Sequence, residues 1–203
     1  MRLDVKLVEL GLARSRKHAT DLIDAARVLV NSNVARKASL SVGDESKIEV
    51  LDAIDYVSRA GHKLAKALEA FGEIEVQGKL ALDVGASTGG FTDVLLRKGA
   101  RQVIALDVGH DQLVPELREN SRVVVLEGFN AREMSGEALS VAAGGIDPKT
   151  IELVVADLSF ISLTLVLEAL VKTAPSADFV LLIKPQFEVG KQSLSASGIV
   201  NDW

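Results

Sequence analysis

Two charged residues stand where apolar runs end. Asp157 follows Ile151 to Ala156, and Lys184 follows Phe179 to Ile183. A lysine at the end of a buried strand loses solvation, which favours its neutral amine, while a nearby carboxylate holds it in place and partly opposes that shift. An amine so placed can assist removal of a proton from a hydroxyl. A structural ion pair is the other reading of each residue. Pro185 fixes the chain direction just past Lys184, and Gln186, Phe187 and Glu188 then present polar and aromatic groups beside the same edge. Phe160, three residues after Asp157, suits either the core or a stacking surface.

The stretch from Lys79 to Leu96 supplies the other half of a site. Leu80, Ala81, Leu82 and Val84 lead through Asp83 into Gly85-Ala86-Ser87-Thr88-Gly89-Gly90, after which Phe91, Val94 and Leu95 return at helical spacing. That is a strand, a tight turn and a helix start, where glycines let the backbone approach a ligand and unpaired amides favour an anionic group. Asp107 closes the next apolar run, Val103 to Leu106. An acid about 20 residues beyond such glycines is placed to accept hydrogen bonds from a ribose. Gly85-x-x-x-Gly89-Gly90 lacks the middle glycine of the dinucleotide pattern, so a nucleoside cofactor without a pyrophosphate, S-adenosylmethionine, fits better than NAD. This favours a methyltransferase over an oxidoreductase.

Gly85-Ala86-Ser87-Thr88-Gly89 also satisfies the G-x-S-x-G nucleophile elbow of hydrolases. That fold needs an acid and then a histidine later in the chain, yet the three histidines are His18, His62 and His110, with none in the last 93 residues. The hydrolase reading lacks its base.

The elements that must carry these residues follow from periodicity. Strands and helices alternate over 79–84, 89–98, 102–107, 111–118, 121–126, 136–142, 151–156, 162–173 and 178–183, which predicts an α/β, doubly wound, mainly parallel Rossmann-like sheet. Its carboxyl edge collects the 83–90 turn, Asp107, Asn130, Asp157 and Lys184. Ahead of it, Leu3, Leu7 and Leu10 at helical spacing end at Gly11. Ser15 can cap a second helix bearing Ala19, Leu22, Ile23 and Ala26, and short strands are expected at 28–31 and 47–50. This predicts a small N-terminal α+β domain over 1–51, a linker over 52–58 and the larger domain over 59–203.

Charge is unevenly shared: within a total of −5, residues 1–60 carry a net +1 and residues 61–203 a net −6. Arg14, Arg16, Lys17 and His18 form a cluster, with Arg2, Arg27, Arg36 and Lys37 nearby in sequence. Cations at the start of the second helix oppose its dipole, which makes more sense beside an anion; a basic, RNA-facing surface is the functional reading and a solvated charged face the bland one. Zero cysteines exclude disulfides and thiolate chemistry and suit a reducing compartment. No apolar run approaches the roughly 18 residues of a membrane span and no leader is evident, so a cytoplasmic protein without membrane partners is expected. With no obvious cationic amphipathic helix either, a membrane-lytic toxin finds no support in the sequence.

The segments 56–64 (YVSRAGHKL), 83–93 (DVGASTGGFTD), 105–113 (ALDVGHDQL), 156–163 (ADLSFISL) and 183–190 (IKPQFEVG) together resemble the TlyA-type, or hemolysin A, ribosomal RNA methyltransferases, in the family's order along essentially the whole chain. The resemblance implies an S-four-like RNA-binding module joined to an FtsJ-like domain that methylates a cytidine ribose 2′-hydroxyl with S-adenosylmethionine, on ribosomal RNA or ribosomal subunits. It implies catalytic roles for Lys63, Asp157 and Lys184, the first three members of a Lys-Asp-Lys-Glu tetrad. It also implies cofactor contacts from Asp83, Gly85, Ser87, Thr88, Gly89, Asp107 and Asn130. Arg2, Arg14, Arg16 and Lys17 are the expected RNA contacts. Departures are Ala60 and Ala26, each where the family has glycine. The family runs on through about two further strands bearing the tetrad's glutamate, which Glu188 is not; a protein that binds RNA and cofactor without turnover is therefore the alternative expectation.

Overall fold

The computed structural model describes residues 1–51, 56–189, 191–195 and 198–200. The chain divides into two compact units, Met1–Asp55 and Tyr56–Trp203.

The first unit pairs two helices with a small sheet. Helix α1 (Leu3–Glu9) buries Leu3 and Leu7, one turn apart, together with Asp4. Helix α2 (Arg16–Asp24) begins where expected, with the Ser15 hydroxyl accepting from the His18 amide at 3.1 Å. It buries Ala19, Leu22 and Ile23 against α1 and strand β1 (Val28–Val30). A two-residue turn then returns the chain as β2 (Asn33–Val34), a strand that hydropathy alone does not mark. Asn31 and Ser32 both have positive φ, 50° and 65°, which is the type I′ geometry that matches the twist of a hairpin. Strand β3 (Ile48–Val50) pairs on the other side of β1, also antiparallel. Ala26 sits at φ 57°, a left-handed conformation that explains a preference for glycine there.

The second unit is a five-stranded parallel sheet of β4 (Leu80–Val84), β5 (Gln102–Leu106), β6 (Val123–Leu126), β7 (Leu153–Ala156) and β8 (Asp178–Leu181), in the order β6-β5-β4-β7-β8. Strand β4 is buried along its length, and its alternate side chains feed two cores. Ala81 faces α3 (Arg59–Ala70) and α4 (Gly90–Arg97), where Leu64, Leu68, Phe91, Val94 and Leu95 pack. Leu80, Leu82 and Val84 face α6 (Gly136–Ala142) and α7 (Thr164–Thr173) through Leu139, Val166 and Leu170. Each such buried leucine contributes about 2 kcal/mol, so the alternation alone fixes strand orientation firmly.

The chain runs outward from β4 to β5 and β6, then crosses back to β7 and β8 on its other side. That reversal makes the carboxyl end of β4 the switch point at which ligands of open α/β sheets bind. Of the expected linker, residues 52–55 lie outside the described residues. Tyr56 is buried against His62 edge-on, with rings 5.1 Å apart, and the Val57 amide donates to Asp93 Oδ2 at 3.0 Å. The helix expected over 111–118 is confined to α5 (Pro115–Arg118): Asp111 turns through φ 54° and proline takes the first helical position.

Candidate active site

Three elements bring charge to the switch point. Lys63 lies in the second turn of α3, Asp157 is the first residue past β7, and Lys184 precedes α8 (Pro185–Glu188) just past β8. Lys184 Nζ lies 2.6 Å from Asp157 Oδ1, and Lys63 Nζ lies 3.6 Å from Oδ2. One carboxylate thus separates two ammonium groups, leaving a net positive cluster. The Asp157 and Lys184 side chains are 13% and 17% exposed, whereas that of Lys63 is 53% exposed. The inner pair is therefore held rigidly and Lys63 reaches in from a wetter side. Lys184 also donates to the Ser159 hydroxyl at 2.6 Å, a contact that no motif flagged.

Lys63 can reach this point because two helices meet backbone to backbone. A Cβ on Gly61 would fall 2.5 Å from Tyr56 Cβ, and one on Gly90 would fall 2.2 Å from Ser58 Oγ and 3.0 Å from the Gly61 nitrogen. Glycine is required at both positions by contact rather than by φ. The crossing fixes α3 against the start of α4, and with it the lysine two residues along.

The glycine turn follows its expected course. Gly85 and Gly89 have φ of 84° and 98°, and the amides of Gly85 and Ala86 donate to Leu106 O. Ser87, also at positive φ (48°), donates its amide to Asp107 Oδ2 at 2.7 Å, while Gly109 donates to Oδ1 at 2.7 Å. Asp107 is thereby oriented by the turn it faces, and each oxygen keeps a further lone pair for a ligand hydroxyl. The Ser87 hydroxyl bonds Gln112. Gly85, Ala86, Ser87 and Thr88 line a cleft of about 150 Å³ that Asp157 and Lys184 close.

Through the contacts just given, Lys63, Gly89 and Asp107 border that lining without belonging to it, and Asp83 and Asn130 are also outside it. Asp83 is wholly buried beneath the turn, where Oδ2 accepts from the Thr92 hydroxyl at 2.6 Å and Oδ1 has no hydrogen-bond partner among the described residues. Burial pushes its carboxyl up to about 7, against the opposing effect of the Thr92 bonds. Asn130 caps a short turn through the Arg132 amide and donates to Glu133. Its polar groups are engaged locally.

Sequence alone allows Phe160 either the core or a stacking surface. Phe160 is 91% exposed at φ 64°, its ring 5.3 Å from that of Phe187, so it is no core residue. Glu188 accepts from the Ser162 hydroxyl and the Leu163 amide, tying the segment after Lys184 to the loop after Asp157. Val108, beside Asp107, is 69% exposed.

In the first unit, Arg2 and Arg16 both bond Asp4, whereas Lys17 and the Arg14 side chain lie exposed on the surface and the Arg14 amide donates to His18 Nδ1 at 3.0 Å.

Residues 56–202 match the model of the FtsJ-like methyltransferase family, and residues 1–48 match that of the S4 domain. The chain is 50% identical to a 16S/23S rRNA (cytidine-2′-O)-methyltransferase TlyA of Mycobacterium tuberculosis over 99% of its own length and 73% of that protein's. It is 44% identical to Hemolysin A of Brachyspira hyodysenteriae, covering 100% of this chain and 81% of that one. A solved structure from Streptococcus thermophilus bearing a provisional hemolysin name superposes with a TM-score of 0.66 at 36% identity, covering 100% of this chain and 72% of the other. No helix among the described residues is long and apolar enough to cross a membrane.

Proposed function

The chain belongs to the FtsJ-like methyltransferases, with an S4 domain ahead of the catalytic fold, and from this we propose that it transfers a methyl group from S-adenosylmethionine to the ribose 2′-hydroxyl of a cytidine in ribosomal RNA. The observation that carries the reading is Asp157 held between Lys63 and Lys184 beside the glycine turn. That is a site for a hydroxyl nucleophile next to a site for a nucleoside.

The residues present suit the cofactor. Asp107 retains acceptors for a ribose diol, the first-turn amides of α4 suit a carboxylate, and exposed Val108 offers an apolar surface next to Asp107. When bound, S-adenosylmethionine supplies an electrophilic methyl on a sulfonium. The protein's part is to hold the hydroxyl oxygen in line with it, and positioning of this kind supplies much of such a rate. Lys184 orients the hydroxyl and assists its deprotonation; Asp157 fixes both lysines; Lys63 stabilises negative charge developing on the oxygen.

Phe160 belongs to the same reading. A phenylalanine at positive φ carries a backbone cost of about 1–2 kcal/mol, and such strain concentrates at functional positions. Its exposed face suits stacking of an unpaired nucleobase, the usual handle for single-stranded RNA. The N-terminal unit supplies the RNA contacts through Arg2, Arg14, Arg16 and Lys17.

The test is transfer of a tritiated methyl group to ribosomal subunits that lack the modification. Parent protein should label the RNA, and Lys184→Ala should lower the rate by about 10²–10⁴ with cofactor affinity unchanged by calorimetry. Turnover retained by Lys184→Ala would remove that lysine from the mechanism. Labelling of protein or of base atoms would overturn the reaction assigned.

A further inference from the structure

A buried carboxylate of the first unit sits between two of its arginines. Asp4 is 2% exposed, on the second residue of α1. Its Oδ1 accepts from Arg2 Nε at 2.9 Å, and its Oδ2 accepts from Arg2 Nη2 at 3.2 Å, Arg16 Nε at 3.1 Å and Arg16 Nη2 at 2.9 Å. The two arginines come from different elements: Arg2 precedes α1 and is bridged to Ser41, whereas Arg16 opens α2. Both side chains remain open to solvent, 51% and 63% exposed.

An acid in that place is a puzzle on charge alone. It halves the positive charge of the pair and repels phosphate, so a surface selected only for charge would exclude it. Geometry gives the answer. Both Nη2 atoms bond Oδ2, so the two forks lie within about 6 Å of one another, a spacing that two free guanidinium groups resist by repulsion. Bidentate or paired contact to one fixed carboxylate also removes the freedom of two long side chains before any ligand arrives. The outer N–H groups of both forks are left pointing to solvent as one rigid array.

We infer that Asp4 is a positioning residue that presets Arg2 and Arg16 as a single clamp for adjacent phosphates of structured RNA. The inference rests on the reading of this unit as RNA-binding and goes beyond it by assigning affinity for the folded target to an acid. Preset geometry matters for a substrate whose phosphates have fixed positions and matters little for a flexible strand. Asp4 therefore contributes discrimination, not bulk attraction.

The experiment measures binding of the full chain to unmodified ribosomal subunits and, separately, to a short polyuridine strand, at several salt concentrations. Asp4→Asn should weaken subunit binding on the order of tenfold while polyuridine binding holds or tightens, because one negative charge has gone. A variant that merely loses its fold lowers both, and thermal unfolding identifies it. In that event Arg2→Lys with Arg16→Lys takes its place: charge is kept, the forks are lost, and subunit binding alone should fall. Subunit affinity in Asp4→Asn equal to or above that of the parent overturns the inference while leaving the RNA surface intact. Unchanged subunit affinity when Arg2 and Arg16 are both alanine removes the clamp, and the RNA-binding reading of these arginines with it.

Discussion

Asp4 in the first unit and Asp83 in the second are both buried carboxylates, and they are held in opposite ways. Asp4 meets two guanidinium groups, whose hydrogen bonds hold its carboxyl down to about 2. Asp83 meets only a threonine hydroxyl and amide, and loss of solvent pushes it up to about 7. Burial is common to both, so the partner decides the charge. The first unit uses its buried acid to order cations at the surface. In the second, the acid lies under the glycine turn, while the paired charges gather one layer above, at Asp157.

This contrast gives the largest and most separable prediction. The folded protein holds the Asp83 proton more tightly than the unfolded chain, whose carboxyl titrates near 3.8, so the contribution of Asp83 to the second unit's stability is lost as pH rises from about 4 to about 7 and is level above that. Asp83→Asn should abolish this slope, gaining relative to the parent across that window by up to about 4 kcal/mol. Asp4 acts with the opposite sign: its stabilisation of the first unit is complete above pH 3.8 and is lost as pH falls toward 2. Amide exchange of residues in each unit, followed from pH 2 to pH 8, reads both. Equal slopes in the two units would break the comparison.

Next in size is the helix crossing that serves the second unit's charge cluster. Gly90→Ala places a Cβ 2.2 Å from Ser58 Oγ and 3.0 Å from the Gly61 nitrogen, so the unit should lose about 1–3 kcal/mol and methyl transfer should fall with it. Urea unfolding and the transfer assay measure the two effects. Stability unchanged in Gly90→Ala would mean that the backbones are not in contact.

The smallest effect belongs to the first unit. Ala26 occupies a left-handed position, and Ala26→Gly should stabilise that unit by up to about 1 kcal/mol, since glycine adopts the conformation without the steric cost. Thermal unfolding checks the sign. A destabilised variant would show that chain entropy outweighs the strain.

What could be read from sequence alone was local. Continuous apolar runs mark β4, β5 and β7 because a buried strand must be apolar along its own length, shorter runs mark the half-buried edges β6 and β8, and Gly85 and Gly89 mark the turn because positive φ is a property of single residues. Ser15 marks a helix start for the same reason. By contrast, the α5 boundary depended on Asp111 adopting φ 54°, and β2 depended on a turn formed by residues other than glycine. Neither has a periodic signal.

Tertiary structure decided which charges meet. Lys63, Asp157 and Lys184 are far apart along the chain, and only packing of α3 against α4 and of β7 beside β8 brings them within ion-pair distance. The same packing hid Asp83, engaged Asn130 in a local turn, exposed Phe160 and assigned Glu188 to a latch. It also set one acid between Arg2 and Arg16. Sequence specifies how readily each residue adopts a backbone conformation or leaves water. Which partner a charge finds depends on distances that exist only once the cores have closed.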